Sequence, residues 1–183
     1  MRLLRWLLGR GDIPEGFTGT LAADERVLAT AELAGATSER HLVVTSWGIW
    51  LPGDTGPRRV GWHLVSKATW RDGVLTVVEA EEVEEIGAGE GHPTAVLLAD
   101  RPPVRLRLQV PGRVPETVHA RVEGSIRSRH RRDLRSGGGA WIVQRRVPGR
   151  DGVVLQVRPD PGTDPELVRQ LAAEVVRRIG SRP

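Results

Sequence analysis

The sequence has no cysteine and no tyrosine, and only one phenylalanine, one methionine and one lysine among 183 residues. The missing cysteine excludes disulfides, thiolate metal sites and thiol chemistry, and it suits a reducing, cytoplasmic setting. With Tyr absent and Phe17 alone, tryptophan must supply the aromatic filling of the core. Trp47, Trp50, Trp62, Trp70 and Trp141 are accordingly expected in strands. Long apolar runs are missing too. No window approaches the roughly 20 apolar residues of a membrane helix. The opening Met1-Arg-Leu-Leu-Arg-Trp-Leu-Leu-Gly is interrupted at Arg5, before it reaches the length of an export-signal core.

Catalytic signatures are equally scarce. No Gly-x-Ser-x-Gly elbow places a serine on a strand-to-helix turn. The glycine-rich stretch at 87–91 lies in an acidic run that repels phosphate, and no Gly-Lys-Ser/Thr follows it. Glu116, His119 and Glu123 fall on one helical face, but polar residues at three- and four-residue spacing are ordinary on exposed helices. The expectation is therefore a non-enzyme with no catalytic residues, no metal site and no small-molecule cofactor.

What is present is charge, unevenly laid out over a net +4. Residues 72–100 hold Asp72, Glu79, Glu81, Glu82, Glu84, Glu85, Glu90 and Asp100 with no Lys or Arg. Residues 101–135 hold ten arginines against Glu116, Glu123 and Asp133. The lone lysine, Lys67, beside a Lys plus Arg total of 27, reads first as the codon bias of GC-rich coding. Such polarity can steer partners, or it can pair one segment with another.

The first hundred residues read as strands. Residues 27–32, 42–51, 60–65, 94–99 and the alternating Val104-Arg-Leu-Arg-Leu-Gln-Val are strand candidates. Asp72-Gly73 sits between two alternating runs and predicts a two-residue hairpin with Trp70 opposite Leu75. Trp47 and Trp50, three apart, face opposite ways if 42–51 is one regular strand. The acidic segment 79–90 is expected as a strand end and loop. From Pro115 the period changes. Val118, Val122 and Ile126 recur every fourth residue, with Val114 before and Leu134 after, which predicts a helix of about 18–20 residues. Gly137-Gly-Gly is expected to end it as a flexible joint. A hairpin from residues 141–146 and 153–158 follows. Thr163-Asp-Pro-Glu166 then caps a C-terminal helix with an apolar face from Leu167 to Ile179.

The run His41-Leu-Val-Val-Thr-Ser-Trp-Gly-Ile-Trp-Leu, then Arg59-Val-Gly-Trp-His-Leu-Val, resembles the strand rhythm of bacterial pleckstrin-homology-like (PH-like) domains over residues 18–135. The resemblance implies an antiparallel barrel of about seven strands with one open end capped by a helix. It transfers fold rather than ligand, since a shared fold hosts many functions. The expected class is α+β. Its parts are an N-terminal amphipathic segment and loop (1–17), a PH-like barrel with its capping helix (18–135), and a β-hairpin plus helix packed on the barrel (138–181).

Two candidate contact surfaces follow. Arg127, Arg129, Arg131, Arg132 and Arg135 crowd the expected end of the long helix. Cations there favour the helix dipole by roughly 0.3–1 kcal/mol each, yet five within so short a span also repel one another. They form a candidate anion-binding surface unless the acidic residues at 79–90 neutralise them. Leu3, Leu4, Leu7 and Leu8 gather on one side of a short helix with Trp6 at its flank, a candidate membrane or partner contact. The leading expectation is a binding or scaffold module with a protein partner. The alternatives are nucleic acid at the arginines, or an anionic membrane surface that residues 1–10 engage, making the protein membrane-peripheral.

Overall fold

A computed structural model describes residues 12–35, 40–87, 93–135 and 137–181. The chain is α+β, and it divides into two compact units. One comprises Met1–Glu79 with Pro102–Gly124, the other Ala80–Arg101 with Ser125–Pro183.

In the first unit, β1 (Val27–Glu32), β2 (His41–Thr45), β3 (Gly48–Leu51) and β4 (Arg58–Gly61) form an antiparallel sheet in sequence order. The expected strand 42–51 is in fact two. The chain reverses at Thr45–Gly48, where Thr45 Oγ1 accepts from the backbone N–H groups of Trp47 (3.2 Å) and Gly48 (3.1 Å). Only glycine fits at 48, because a Cβ there would meet the Val60 carbonyl oxygen at 2.2 Å. A turn at Trp62–Leu64 leads to β5 (Val65–Arg71), which pairs with the first part of β6 (Val74–Gly87). The hairpin forms as the sequence predicts. Asp72 and Gly73 have φ of 51° and 75°, and Trp70 lies opposite Leu75. β8 (Val104–Arg107) pairs with the other side of that part of β6.

Helix α1 (Val114–Ser125) presents Val114, Val118 and Val122 to a core with Leu42, Val44, Ile49, Leu51, Val65, Leu75 and Val77. Each buried Val or Leu contributes roughly 1.5–3 kcal/mol by leaving water. β2 and β3 are buried on both faces. On their second face Val43 and Trp50 lie with Val27, packed by Phe17 and Leu21. That explains why 42–44 read as a continuous apolar run rather than an alternating one.

The second unit is one mixed sheet with a helix. The later part of β6 pairs with β7 (Thr94–Asp100). Next come β11 (Val153–Pro159), parallel to β7, then β10 (Gly139–Arg146), then β9 (Ile126–Asp133) at the edge. Helix α2 (Pro165–Gly180) packs Val168, Leu171, Ala172 and Val176 on Ala95, Leu97, Ala140, Leu155 and Val157. Its N-cap is Asp164, whose carboxylate accepts from the Glu166 N–H at 2.8 Å. Thr163 serves elsewhere, exchanging hydrogen bonds with the backbone of Gly139.

Two expectations change here. The helix expected over 18–20 residues has 12 and ends at Ser125. Ile126 and the arginines after it form a strand, seven of whose residues pair with β10. The acidic segment expected as strand end and loop is part of β6 as far as Gly87, with a bulge between Glu82 and Glu84. Among the described residues no helix is long and apolar enough to cross a membrane.

Candidate functional site

The arginines singled out from sequence are not on a helix end. They lie on β9, an eight-residue edge strand, and on the turn that follows it. That turn is the glycine stretch expected as a joint. Leu134 N–H donates to the Gly138 carbonyl (3.2 Å), Gly137 N–H donates to the Leu134 carbonyl (3.1 Å), and Gly137 and Gly138 take φ of 92° and 76°. The chain turns there with left-handed backbone at Gly137 and Gly138, which glycine adopts without strain.

The register sorts the side chains. His130 pairs with Ile142 and Arg132 with Ala140, so both share the face that carries α2. Arg129 pairs with Val143 and Arg131 with Trp141, so both share the opposite face. Arg127 stands at a bulge, where the register shifts between Gln144 and Arg145. Arg135 is in the turn. All five guanidinium-bearing residues are exposed.

Their electrostatics differ. Arg131 donates to Asp160 at 2.7 Å and also to Asp133, and these hydrogen bonds, with Asp160 the stronger cause, raise its pKa further. It is spoken for within the fold. No carboxylate among the described residues pairs with Arg127, Arg129, Arg132 or Arg135. Among the described residues, the glutamates of the acidic segment do not pair with them either. Glu79 is bound bidentately by Arg58 (2.9 and 2.5 Å), Glu81 pairs with Arg101 (3.0 Å) and Glu84 with Arg169 (2.8 Å). Within the second unit's sheet the later part of β6 and β9 are opposite edges, four strand spacings apart. The basic edge keeps its charge.

A second constellation was not found from sequence. In the first unit the Glu25 side chain is fully buried. It accepts hydrogen bonds from Thr45 Oγ1 (2.5 Å), Trp50 Nε1 (3.0 Å), the Ala22 N–H (3.0 Å) and Arg59. Arg59 in turn lies 5.1 Å from the Trp47 ring centre and 5.7 Å from that of Trp50. The two tryptophans therefore flank one cation. Trp47 falls in the turn before β3, and the expectation of opposite faces required an unbroken strand. Burial works to raise the Glu25 pKa, but the hydrogen bonds from Thr45, the Ala22 backbone and Trp50, with the Arg59 charge, outweigh it and leave the pKa lowered. With its carboxylate oxygens engaged by four donors, this cluster pins residues 22–25 to the sheet. It is not arranged for proton transfer.

Among the described residues there are two small pockets. One of about 250 Å³ is lined by Thr94, Val96, Val154, Leu155 and Ile179 among others, and one of about 140 Å³ by Trp70, Pro115, Val118 and His119 among others. Both fall below the roughly 300–1,000 Å³ of small-molecule sites. Glu116, His119 and Glu123 all lie on α1, and no group of three or more metal-ligating side chains occurs among the described residues. Leu3, Leu4, Trp6, Leu7 and Leu8, and the glycine-rich residues 88–91, lie outside the described residues.

Comparison of the chain with protein-family models, with curated proteins and with solved structures finds no match.

Proposed function

We propose that this protein is a non-catalytic binding module that holds an acidic protein segment along the edge of β9. The observation that carries the reading is the set of exposed, unpaired arginines on an edge strand. Edge strands offer unsatisfied backbone N–H and C=O groups to another chain, and a partner added there gains main-chain hydrogen bonds plus side-chain pairs on both faces. Charged edges also serve to discourage aggregation, a role that the titration below separates from binding. Here Arg127, Arg129 and Arg132 add to an ion-paired Arg131 on one strand.

The same proposal includes a PH-like first unit. It is supported by the order of four strands, then β5, β6 and β8, then α1, around one apolar core. The bridge between Leu33 and Leu108 joins the end of the first sheet to the last strand, as a barrel requires. Ligand contact in this reading belongs to the second unit.

Titration of the full chain with a labelled alternating Glu-Val peptide, an oligothymidylate and phosphatidylserine vesicles tests the reading. Peptide binding should weaken with salt. It should also fall at least about tenfold when Arg127, Arg129 and Arg132 become Glu, as like charges placed opposite one another cost several kcal/mol. Arginine-dependent binding of the oligothymidylate or the vesicles, with none of the peptide, would replace the acidic protein by nucleic acid or lipid. Binding indifferent to these three residues would remove the β9 surface altogether.

A further inference from the structure

The second unit's sheet has two edges of opposite sign, neither paired further among the described residues. Residues 80–87 of β6 pair with β7 on one side, and no strand among the described residues pairs with their other side. That edge carries Glu81, Glu82, Glu84 and Glu85. The far edge is β9. Each edge segment is eight residues long. We propose that the acidic partner of β9 is the β6 edge of a second copy of this chain, so that copies join edge to edge into a continued sheet. The inference rests on the β9 reading above and names its partner.

Strand direction permits the join. β6 is antiparallel to β7, β7 parallel to β11, β11 antiparallel to β10 and β10 antiparallel to β9. β9 therefore runs opposite to β6. A copy shifted along the hydrogen-bonding direction, with α2 on the same side, sets its β6 antiparallel to β9.

The faces match as well. Glu82 lies opposite Leu98 and Glu85 opposite Val96, while Glu84 lies opposite Leu97 of the α2-facing core. Glu82 and Glu85 thus point to the side away from α2, the side that carries Arg129 and Arg131. Neither has an ion-pair partner among the described residues, unlike Glu81 and Glu84. Between them Val83 is 62% exposed at the bulge, an apolar side chain that the join covers.

The charges also exclude the alternatives between copies. β9 against β9 sets arginine beside arginine, and β6 against β6 sets glutamate beside glutamate; each is repulsive. Only the head-to-tail contact is attractive, and a contact of that kind builds a ring or an open chain rather than a two-fold dimer.

Sedimentation of the full chain over a wide concentration range, in low and in high salt, tests the proposal. Self-association should be evident in low salt and weaken as salt rises. Arg127→Glu with Arg129→Glu and Arg132→Glu makes both edges acidic, and Glu82→Arg with Glu85→Arg makes both basic. Each variant alone should associate at least about tenfold more weakly, because like charges now meet at the join. Mixing the two should restore association, since every contact again joins acid to base, and that restoration shows that both variants are folded. A wild-type chain that stays monomeric at every concentration, or association indifferent to both reversals, overturns the proposal. If a monomeric chain still binds the Glu-Val peptide through its arginines, the β9 reading stands and only the second copy is lost. If neither occurs, both are lost.

Discussion

Glu25 shows how a single buried charge can be stable without being reactive. Its carboxylate is wholly inaccessible, and it is held by Thr45, Trp50, the Ala22 backbone and Arg59. Removing one member of a buried ion pair costs on the order of 3–5 kcal/mol, because the charge left behind stays poorly solvated. Arg59 is about a third exposed, with a side-chain exposure of 32%, so the lower figure is the better guide. Glu25→Ala should therefore cost about 3 kcal/mol in urea unfolding and raise hydrogen exchange at residues 22–25. The pH response has a definite sign. A carboxyl whose pKa is lowered by folding stabilises the fold at pH above the ordinary value of about 4.3, and that stability drains away as pH falls through the lowered value. Thermal unfolding followed from neutral pH into this acid range should show a steeper loss for the wild-type chain than for Glu25→Gln. Parallel acid profiles would mean that the cluster contributes little.

At the scale of elements, the turn between β9 and β10 separates two readings of the same glycines. A flexible joint tolerates alanine at either position. A fixed turn does not, because an L-residue with positive φ is strained by roughly 1–2 kcal/mol. Gly138 has φ of 76° and an added Cβ would meet Thr163 Oγ1 at 2.6 Å, whereas nothing lies within 4 Å at Gly137. Both Gly137→Ala and Gly138→Ala should lower stability in urea titration, with Gly138→Ala the more damaging by about 1 kcal/mol or more. Equal, negligible effects would restore the joint. The same elements show what a sequence carries locally. The Asp72-Gly73 hairpin and α2 were legible because their signals are local: two residues suited to positive φ in one case, a cap and an apolar stripe in the other. β9 was hidden because the stripe Val118, Val122, Ile126 runs straight across the helix–strand boundary, and arginine favours helices. What decides the strand is pairing with β10, a tertiary contact. The acidic part of β6 was hidden for a related reason. It bears glutamates on both faces at an edge, so it lacks the alternation that marks a half-buried strand. The Glu25 cluster joins residues 20, 25 and 34 positions apart, and no spacing rule reaches across such intervals. The arginine composition was visible from the start; its placement was not.

At the scale of the whole molecule, neither unit is a continuous stretch of chain. The first unit is interrupted by Ala80–Arg101, an excursion that leaves from β6 and returns to β8. These two strands are themselves paired, with Val77 opposite Val104, so the excursion begins and ends at neighbouring points of one antiparallel pair. Its removal need not disturb the ladder it interrupts. A short glycine-rich loop suits such a pair; it must exceed a two-residue turn, because Pro102 has no N–H to close one. Residues 12–79, a Gly-Ser-Gly-Ser loop and residues 102–124 would keep β1 to β5, residues 74–79 of β6, β8, α1, the Glu25 cluster and the core of Leu42, Ile49, Val65, Leu75, Val114 and Val118. This shortened chain should fold alone, with a single cooperative melt and dispersed amide resonances. It should also retain the acid sensitivity assigned to Glu25 while losing all β9-dependent binding. A broad melt with collapsed resonances would mean that the first unit draws essential stability from outside its own core. A folded product that still bound the Glu-Val peptide would move the contact surface out of the second unit.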